Sequence, residues 1–95
     1  MIRIVADNYV KPEEKANYLK LAAELAEASR KELGNISYHL HQDKADENHL
    51  TFIEEWQDEE AIRLHNASAH FTTLVPRMHE YASKPGRCCL YDIVI

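Results

Sequence analysis

Glycine is almost missing from this chain. Only Gly34 and Gly86 occur among 95 residues. Neither opens a glycine-rich turn, which excludes a nucleotide-phosphate loop and the flavin and nicotinamide fingerprints. Cysteine is equally scarce. Cys88 and Cys89 are adjacent, so on a strand they point to opposite faces, and no bridge between them is expected. With no second pair to complete a metal or redox site, they read as one small buried residue and one partly exposed thiol. Long apolar runs are absent, and nothing approaches the roughly 18 residues that cross a membrane. Met1-Ile2-Arg3-Ile4 lacks the basic head, apolar centre and cleavage site of a signal peptide, so the expected location is cytoplasmic. Positive charge is in the minority: 11 Lys and Arg stand against 16 Asp and Glu, a net charge of −5. A nucleic acid or an anionic membrane needs a basic surface, so neither is an expected partner. A serine nucleophile in a strained elbow is missing too.

What is present is ordinary for one globular domain spanning residues 1–95: 45% apolar and 28% charged residues. A chain of this size buries roughly 60–70% of its unfolded surface, so a second copy would help to stabilise it.

The chain is organised around residues 50–71. Leu50, Phe52, Glu54 and Trp56 alternate with Thr51, Ile53, Glu55 and Gln57, the period of a strand. Asp58 then suits a helix N-cap, Glu59 and Glu60 suit a first turn, and Ala61, Ile62, Leu64 and His65 follow at helical spacing. A strand that ends on the only tryptophan and turns at once into a helix bearing His65 can form the wall of a small pocket.

Before it, residues 2–10 alternate as a strand, with Ile2, Ile4, Ala6, Asn8 and Val10 on one face. Asn8 is the polar exception there, satisfying either a turn or a ligand pocket. Pro12, Glu13 and Glu14 start a helix that should run to about Leu33. Its apolar stripe is Leu19, Ala22, Ala23, Ala26 and Leu33, flanked by Leu21, Leu25 and Ala28. Arg30, Lys31 and Glu32 belong to its solvated side, and Gly34 stands where a C-terminal cap is expected. Residues 36–42 form a second strand with Ile36, Tyr38 and Leu40 on one face and His39 and His41 on the other. Two histidines two apart could ligate a metal, but no third ligand is placed, and no metal site is assigned. Residues 43–49 read as a polar turn. After the strand at 50–57, a second helical region covers 58 to about 83, interrupted at Asn66-Ala67-Ser68, where Ser68 can cap a new segment. Pro76 should kink or break it. Lys84-Pro85-Gly86 is a turn, and 87–95 a last strand.

Strand, helix, strand, strand, helix, strand is the split-βαβ, ferredoxin-like order, an α+β fold with helices on one face of a four-stranded antiparallel sheet. The other face carries apolar groups such as Val5, Tyr9 and Ile53, which a second copy packing sheet to sheet would cover.

The chemistry available to a helix–sheet cleft then rests on His65, His70, Trp56, Tyr38 and Asn8. A neutral imidazole at His65 can serve as a general base near neutral pH; a helix-surface histidine is the plainer reading. His70 can shape the pocket or cap a helix end. Trp56 and Phe71 read as core or pocket lining. Glu54 and Glu55 face opposite ways and are no catalytic carboxylate pair.

Glu55-Trp56, Asp58-Glu59-Glu60-Ala61, His65 and Ser68-Ala69-His70-Phe71 together resemble the antibiotic biosynthesis monooxygenase domain. So does Ser29-Arg30-Lys31-Glu32-Leu33-Gly34-Asn35-Ile36-Ser37-Tyr38, and the similarity covers nearly the whole chain. The resemblance implies a homodimeric α/β barrel built from ferredoxin-like subunits. It implies oxidation of quinols, anthrones or related polyphenols by molecular oxygen without a cofactor in some members, and haem degradation in others. Asn8 matches a pocket asparagine of the haem-degrading members. His65 stands where they carry a pocket tryptophan, and Val75, which cannot bind iron, falls near the place of their haem-ligating histidine, so haem is set aside. Some relatives isomerise a phosphorylated signalling sugar.

The expectation is therefore a cofactor-free monooxygenase of a small aromatic substrate. His65 and Asn8 would be catalytic, with Trp56, Tyr38, Phe71 and His70 around the substrate. The alternatives are an isomerase on the same site, for which Arg87, Arg63 and Arg77 are the candidate anion-binding residues, or a non-catalytic dimeric binding module.

Overall fold

The computed structural model describes residues 1–95. Five strands and three helices follow in the order β1 (Ile2–Val10), α1 (Lys15–Arg30), β2 (Asn35–Asp43), β3 (Asp46–Trp56), α2 (Glu59–Asn66), α3 (Ala69–His79), β4 (Ala82–Lys84) and β5 (Cys88–Asp92). The sheet is antiparallel, with β2, β3 and β1 side by side and β4 and β5 both paired to the far side of β1. This is the ferredoxin-like arrangement with its fourth strand in two pieces, and the sheet stays open.

The split has a local cause. Pro85 offers no amide to a ladder, which favours a break or an edge. A Cβ on Gly86 would lie 1.8 Å from the Asp7 carbonyl oxygen, so the turn can press onto β1 only because residue 86 has none. The ladder resumes when the Asp7 amide donates to the Arg87 carbonyl at 2.8 Å.

Alternation places Ile2, Ile4 and Val10 of β1 and Leu50, Phe52, Glu54 and Trp56 of β3 in the layer under the helices, all buried. The register confirms the shared face, since Ile4 pairs with Glu54, Ala6 with Phe52 and Asn8 with Leu50. The α1 stripe differs from the expected one. Tyr18, Leu21, Ala22, Leu25, Ala26 and Ser29 are buried, a run at the three- and four-residue steps of one helical face. Leu19 sits about a quarter turn away and is 40% exposed, and Leu33 is 99% exposed, because the helix stops at Arg30 and Leu33 falls in the connecting turn.

Gly34 is also explained differently. It has no left-handed backbone, but a Cβ there would lie 2.2 Å from the Ala61 Cβ. The residue lets the α1–β2 turn touch α2 and does not serve as a left-handed cap. The polar turn expected at 43–49 shrinks to Lys44-Ala45, with β2 and β3 extended on either side. The helix break falls at Ala67-Ser68, while α3 continues through the exposed Pro76.

Candidate functional site

Two caps set the position of α2 and α3. Asp58 accepts from the Ala61 amide at 2.9 Å. Ser68 accepts from the Phe71 amide at 3.2 Å and donates its hydroxyl to the His65 carbonyl at 2.7 Å. With both helix starts satisfied in this way, His65 is turned inward and is 1% exposed. It is not the helix-surface histidine of the plainer reading. Its ring lies 4.4 Å from that of Trp56, 5.0 Å from that of Phe71 and 5.6 Å from that of Tyr38, centre to centre.

Glu32, expected on the solvated side of α1, is turned back toward this ring. Its Oε2 accepts from His65 Nδ1 at 2.6 Å and from His70 Nε2 at 3.0 Å. A carboxylate acceptor puts the proton of a neutral His65 on Nδ1 and leaves Nε2, which has no partner in the chain, as the basic nitrogen. Burial holds the His65 pKa below its usual value, opposed by the bond to Glu32; the neutral ring is therefore the resting form at neutral pH. The donor atoms of Glu32, His65 and His70 all lie within 4.8 Å of one another. The trio could hold a divalent ion as well as the shared protons.

Glu54 is the second buried ionisable group. Trp56 Nε1 donates to its Oε1 at 2.9 Å, and burial pushes its pKa up to about 7 despite that bond. Burial, with Glu54 second, also raises the Tyr38 pKa and keeps that hydroxyl a proton donor.

These groups border a cavity of about 250 Å³ between the helices and the sheet, lined by His65, Glu54, Tyr38, Asn8 and Phe71 among mostly apolar side chains. Asn8 lies on the cavity wall, with its Nδ2 donating to the Ala6 carbonyl at 3.0 Å. Trp56 is fully buried behind His65 and Glu54 and does not border the space. His70 also stands outside the lining and holds Glu32. His39 and His41 are exposed on the opposite face of β2 and join nothing here.

Glu32 and Glu54 are the site residues that sequence reasoning passed over. Glu54 was visible as the one charged side chain on the Leu50–Trp56 apolar face. Glu32 carried no local signal, because its partners lie 33 and 38 residues further on.

The fold is matched by kinship. The family model described as antibiotic biosynthesis monooxygenase matches residues 1–77. The chain belongs to the antibiotic biosynthesis monooxygenase family. "Putative monooxygenase YcnE" of Bacillus subtilis is 39% identical over 85 residues, 90% of either chain. A crystal structure of an antibiotic biosynthesis monooxygenase superposes with a TM-score of 0.95 at 38% identity over the whole of both chains. A conserved protein from Methanosarcina mazei Go1 superposes with a TM-score of 0.93 at 37% identity, covering 95% of this chain and 89% of its own. The family match therefore spans β1, β3 and the His65 helix, and ends within α3. As a family member this chain has no helix long and apolar enough to cross a membrane.

Proposed function

We propose that the chain is a monooxygenase that oxidises a small electron-rich aromatic (a quinol, an anthrone or a related phenol) with molecular oxygen and no metal or organic cofactor. The observation that carries this reading is the buried His65, bonded through Nδ1 to Glu32 and bordering a small, mostly apolar cavity. His65 takes the acidic substrate proton as general base, and Glu32 steadies the imidazolium that forms. The substrate anion passes one electron to oxygen, and the two radicals combine at a ring carbon as a peroxide. Loss of water leaves a carbonyl, so a quinol and one O2 become a hydroxyquinone and one H2O. Asn8 and the Tyr38 hydroxyl offer hydrogen bonds to developing negative charge, and Glu54, with its pKa near 7, can supply the proton that leaves with oxygen as water.

Two copies would pack through the uncovered sheet face, in keeping with the family and with the half-buried Val5 and Ile53 on it.

The test is oxygen uptake by metal-stripped protein with hydroquinones and anthrones. His65→Ala is expected to lose roughly 10²–10⁴-fold of the rate above autoxidation, the usual contribution of a positioned base. The wild-type rate should fall as pH drops through the lowered His65 pKa, below 6.5, since the proton must leave to a neutral ring. Removing Glu32 as Glu32→Gln should move that limb lower still, because the carboxylate is what opposes the depression. An unchanged rate in His65→Ala would remove His65 from the chemistry.

A second reading is favoured by Glu54 and His65 lining one cavity: a proton-shuttling isomerase. It alone predicts turnover under strict anaerobiosis.

A further inference from the structure

The chain has six histidines, and four of them can be set aside as metal ligands. His39 and His41 are exposed on β2, their ring centres 6.3 Å apart. Neither they nor His79 has a carboxylate within ion-pair distance. His49 has two, but Asp7 meets its Nε2 and Asp43 its Nδ1. Those nitrogens lie on opposite sides of the ring, so the two acids cannot share one ion with it. His65 and His70 differ. One nitrogen of each ring meets the same oxygen, Glu32 Oε2, at 2.6 and 3.0 Å.

Two imidazole nitrogens and one carboxylate oxygen are a three-ligand zinc donor set, with a fourth position left open. Bonds of about 2.0–2.1 Å in a tetrahedron put neighbouring donors roughly 3.3 Å apart. The two separations through Glu32 are a little shorter than that, and the three donors all lie within 4.8 Å of one another. A small rotation of the Glu32 side chain would admit an ion. The rings are oriented in advance. Ser68 joins α2 to α3 through the His65 carbonyl and the Phe71 amide, which brings histidines of two helices to one oxygen. Trp56 and Phe71 pack on the His65 ring, 4.4 and 5.0 Å away centre to centre. Glu32 and His70 keep 18% and 22% of their side chains exposed and do not line the cavity, so solvent reaches these two ligands from outside the substrate space. Imidazole nitrogen favours transition ions over magnesium or calcium.

We propose that Glu32, His65 and His70 bind a divalent transition-metal ion of the zinc type, and that the bound ion shuts off His65 as a base. The second clause rests on the proposed oxygenase role of His65; the first does not. The ion takes the lone pair of Nδ1, and the one proton of the neutral ring then sits on Nε2. No lone pair remains on the ring for a substrate proton. An ion at this site is an inhibitor and not a cofactor.

The test titrates metal-stripped protein with Co2+, read by visible absorption, and with Zn2+, read by calorimetry. One ion per chain is expected. His70→Ala and Glu32→Gln should each weaken Zn2+ binding by at least roughly 10–100-fold, since even a lost outer-shell partner costs that much. The double variant His39→Ala/His41→Ala should bind like wild type. In the wild type itself, Zn2+ should move the imidazole proton resonances of His65 and His70 and leave those of His39 and His41 in place, a readout that depends on no variant folding. Absence of binding, full affinity in His70→Ala, loss of binding in the β2 double variant, or unmoved His65 and His70 resonances would each overturn the site. Saturating Zn2+ should also abolish wild-type oxygen uptake, and uptake unchanged by the bound ion would overturn the block. Protein that binds Zn2+ at these ligands but takes up no oxygen when metal-stripped would sink the oxygenase reading, and the block with it, and leave the site standing.

Discussion

At Glu54 a carboxyl group sits inside an apolar layer, and the cost of ionising it there should appear in the pH dependence of folding. Its pKa is about 7 in the fold against an ordinary 4.5. The protonated form is thus the one the fold prefers. Below pH 4.5 the group is neutral in both states and costs nothing. Between 4.5 and 7 the unfolded chain ionises first and stability declines, and above 7 the loss levels off at about 3 kcal/mol, an order-of-magnitude figure. Glu54→Gln keeps an acceptor for Trp56 and removes the charge. Its unfolding free energy in urea, relative to wild type, should therefore improve by a few kcal/mol between pH 5 and pH 8. Parallel curves for the two proteins would mean that Glu54 is not kept from water. The alternation of Leu50, Phe52, Glu54 and Trp56 made this residue legible in advance. What alternation could not supply was the environment, because Trp56 reads as a pocket wall until its indole N–H is seen to serve Glu54.

At the scale of elements, local chemistry predicted most boundaries. Asp58 and Ser68 were legible as caps because capping needs only a short polar side chain three residues before an amide. Period-two runs located β1 and β3. The failures came where distant contacts decide. The end of α1 was overshot, since Leu33 continues an apolar pattern that the turn at Lys31–Gly34 discards. The second helical region is overshot too: it reads on to about residue 83, but α3 ends at His79 and Ala82–Lys84 pair with β1 as β4, a contact that depends on how closely the chain approaches β1. Gly34 belongs with these, because its role is steric and lies in the contact with Ala61. Gly34→Ala should force the α1–β2 turn away from α2, costing about 1–3 kcal/mol by overpacking. Thermal melting should show the loss, and Ala61→Gly in the same chain should recover part of it. Since Glu32 lies two residues before Gly34, the variant should also weaken the hold on His65. A Gly34→Ala protein that melts like wild type would mean that the helix gives way without cost.

For the whole molecule, the decisive feature is an antiparallel sheet clad on one face only. The helices cover the Ile4, Phe52 and Trp56 side. The other side keeps Val5 and Ile53 half-buried, and the chain ends in Tyr91, Ile93, Val94 and Ile95, exposed by 53%, 46%, 88% and 113%. A monomer of 11.0 kDa would leave this apolar surface in water, which monomeric proteins generally avoid at such extent. Polar groups on the same face are paired, with Arg3 to Glu55 at 3.3 Å and His49 between Asp7 and Asp43 at 2.8 and 2.9 Å. Paired charges cost less to cover than free ones. On the proposed sheet-to-sheet packing of a second copy, sedimentation velocity should find a species of about twice the chain mass at micromolar concentration. Val5→Asp with Ile53→Asp would put two unpaired carboxylates into that contact and should shift the mass to the monomer while leaving far-ultraviolet dichroism unchanged, because neither side chain belongs to the helix-covered core. If the wild type sediments as a monomer, the open face needs another cover. If the double variant remains dimeric, the contact lies elsewhere, and the exposed residues after Leu90 are the next to change.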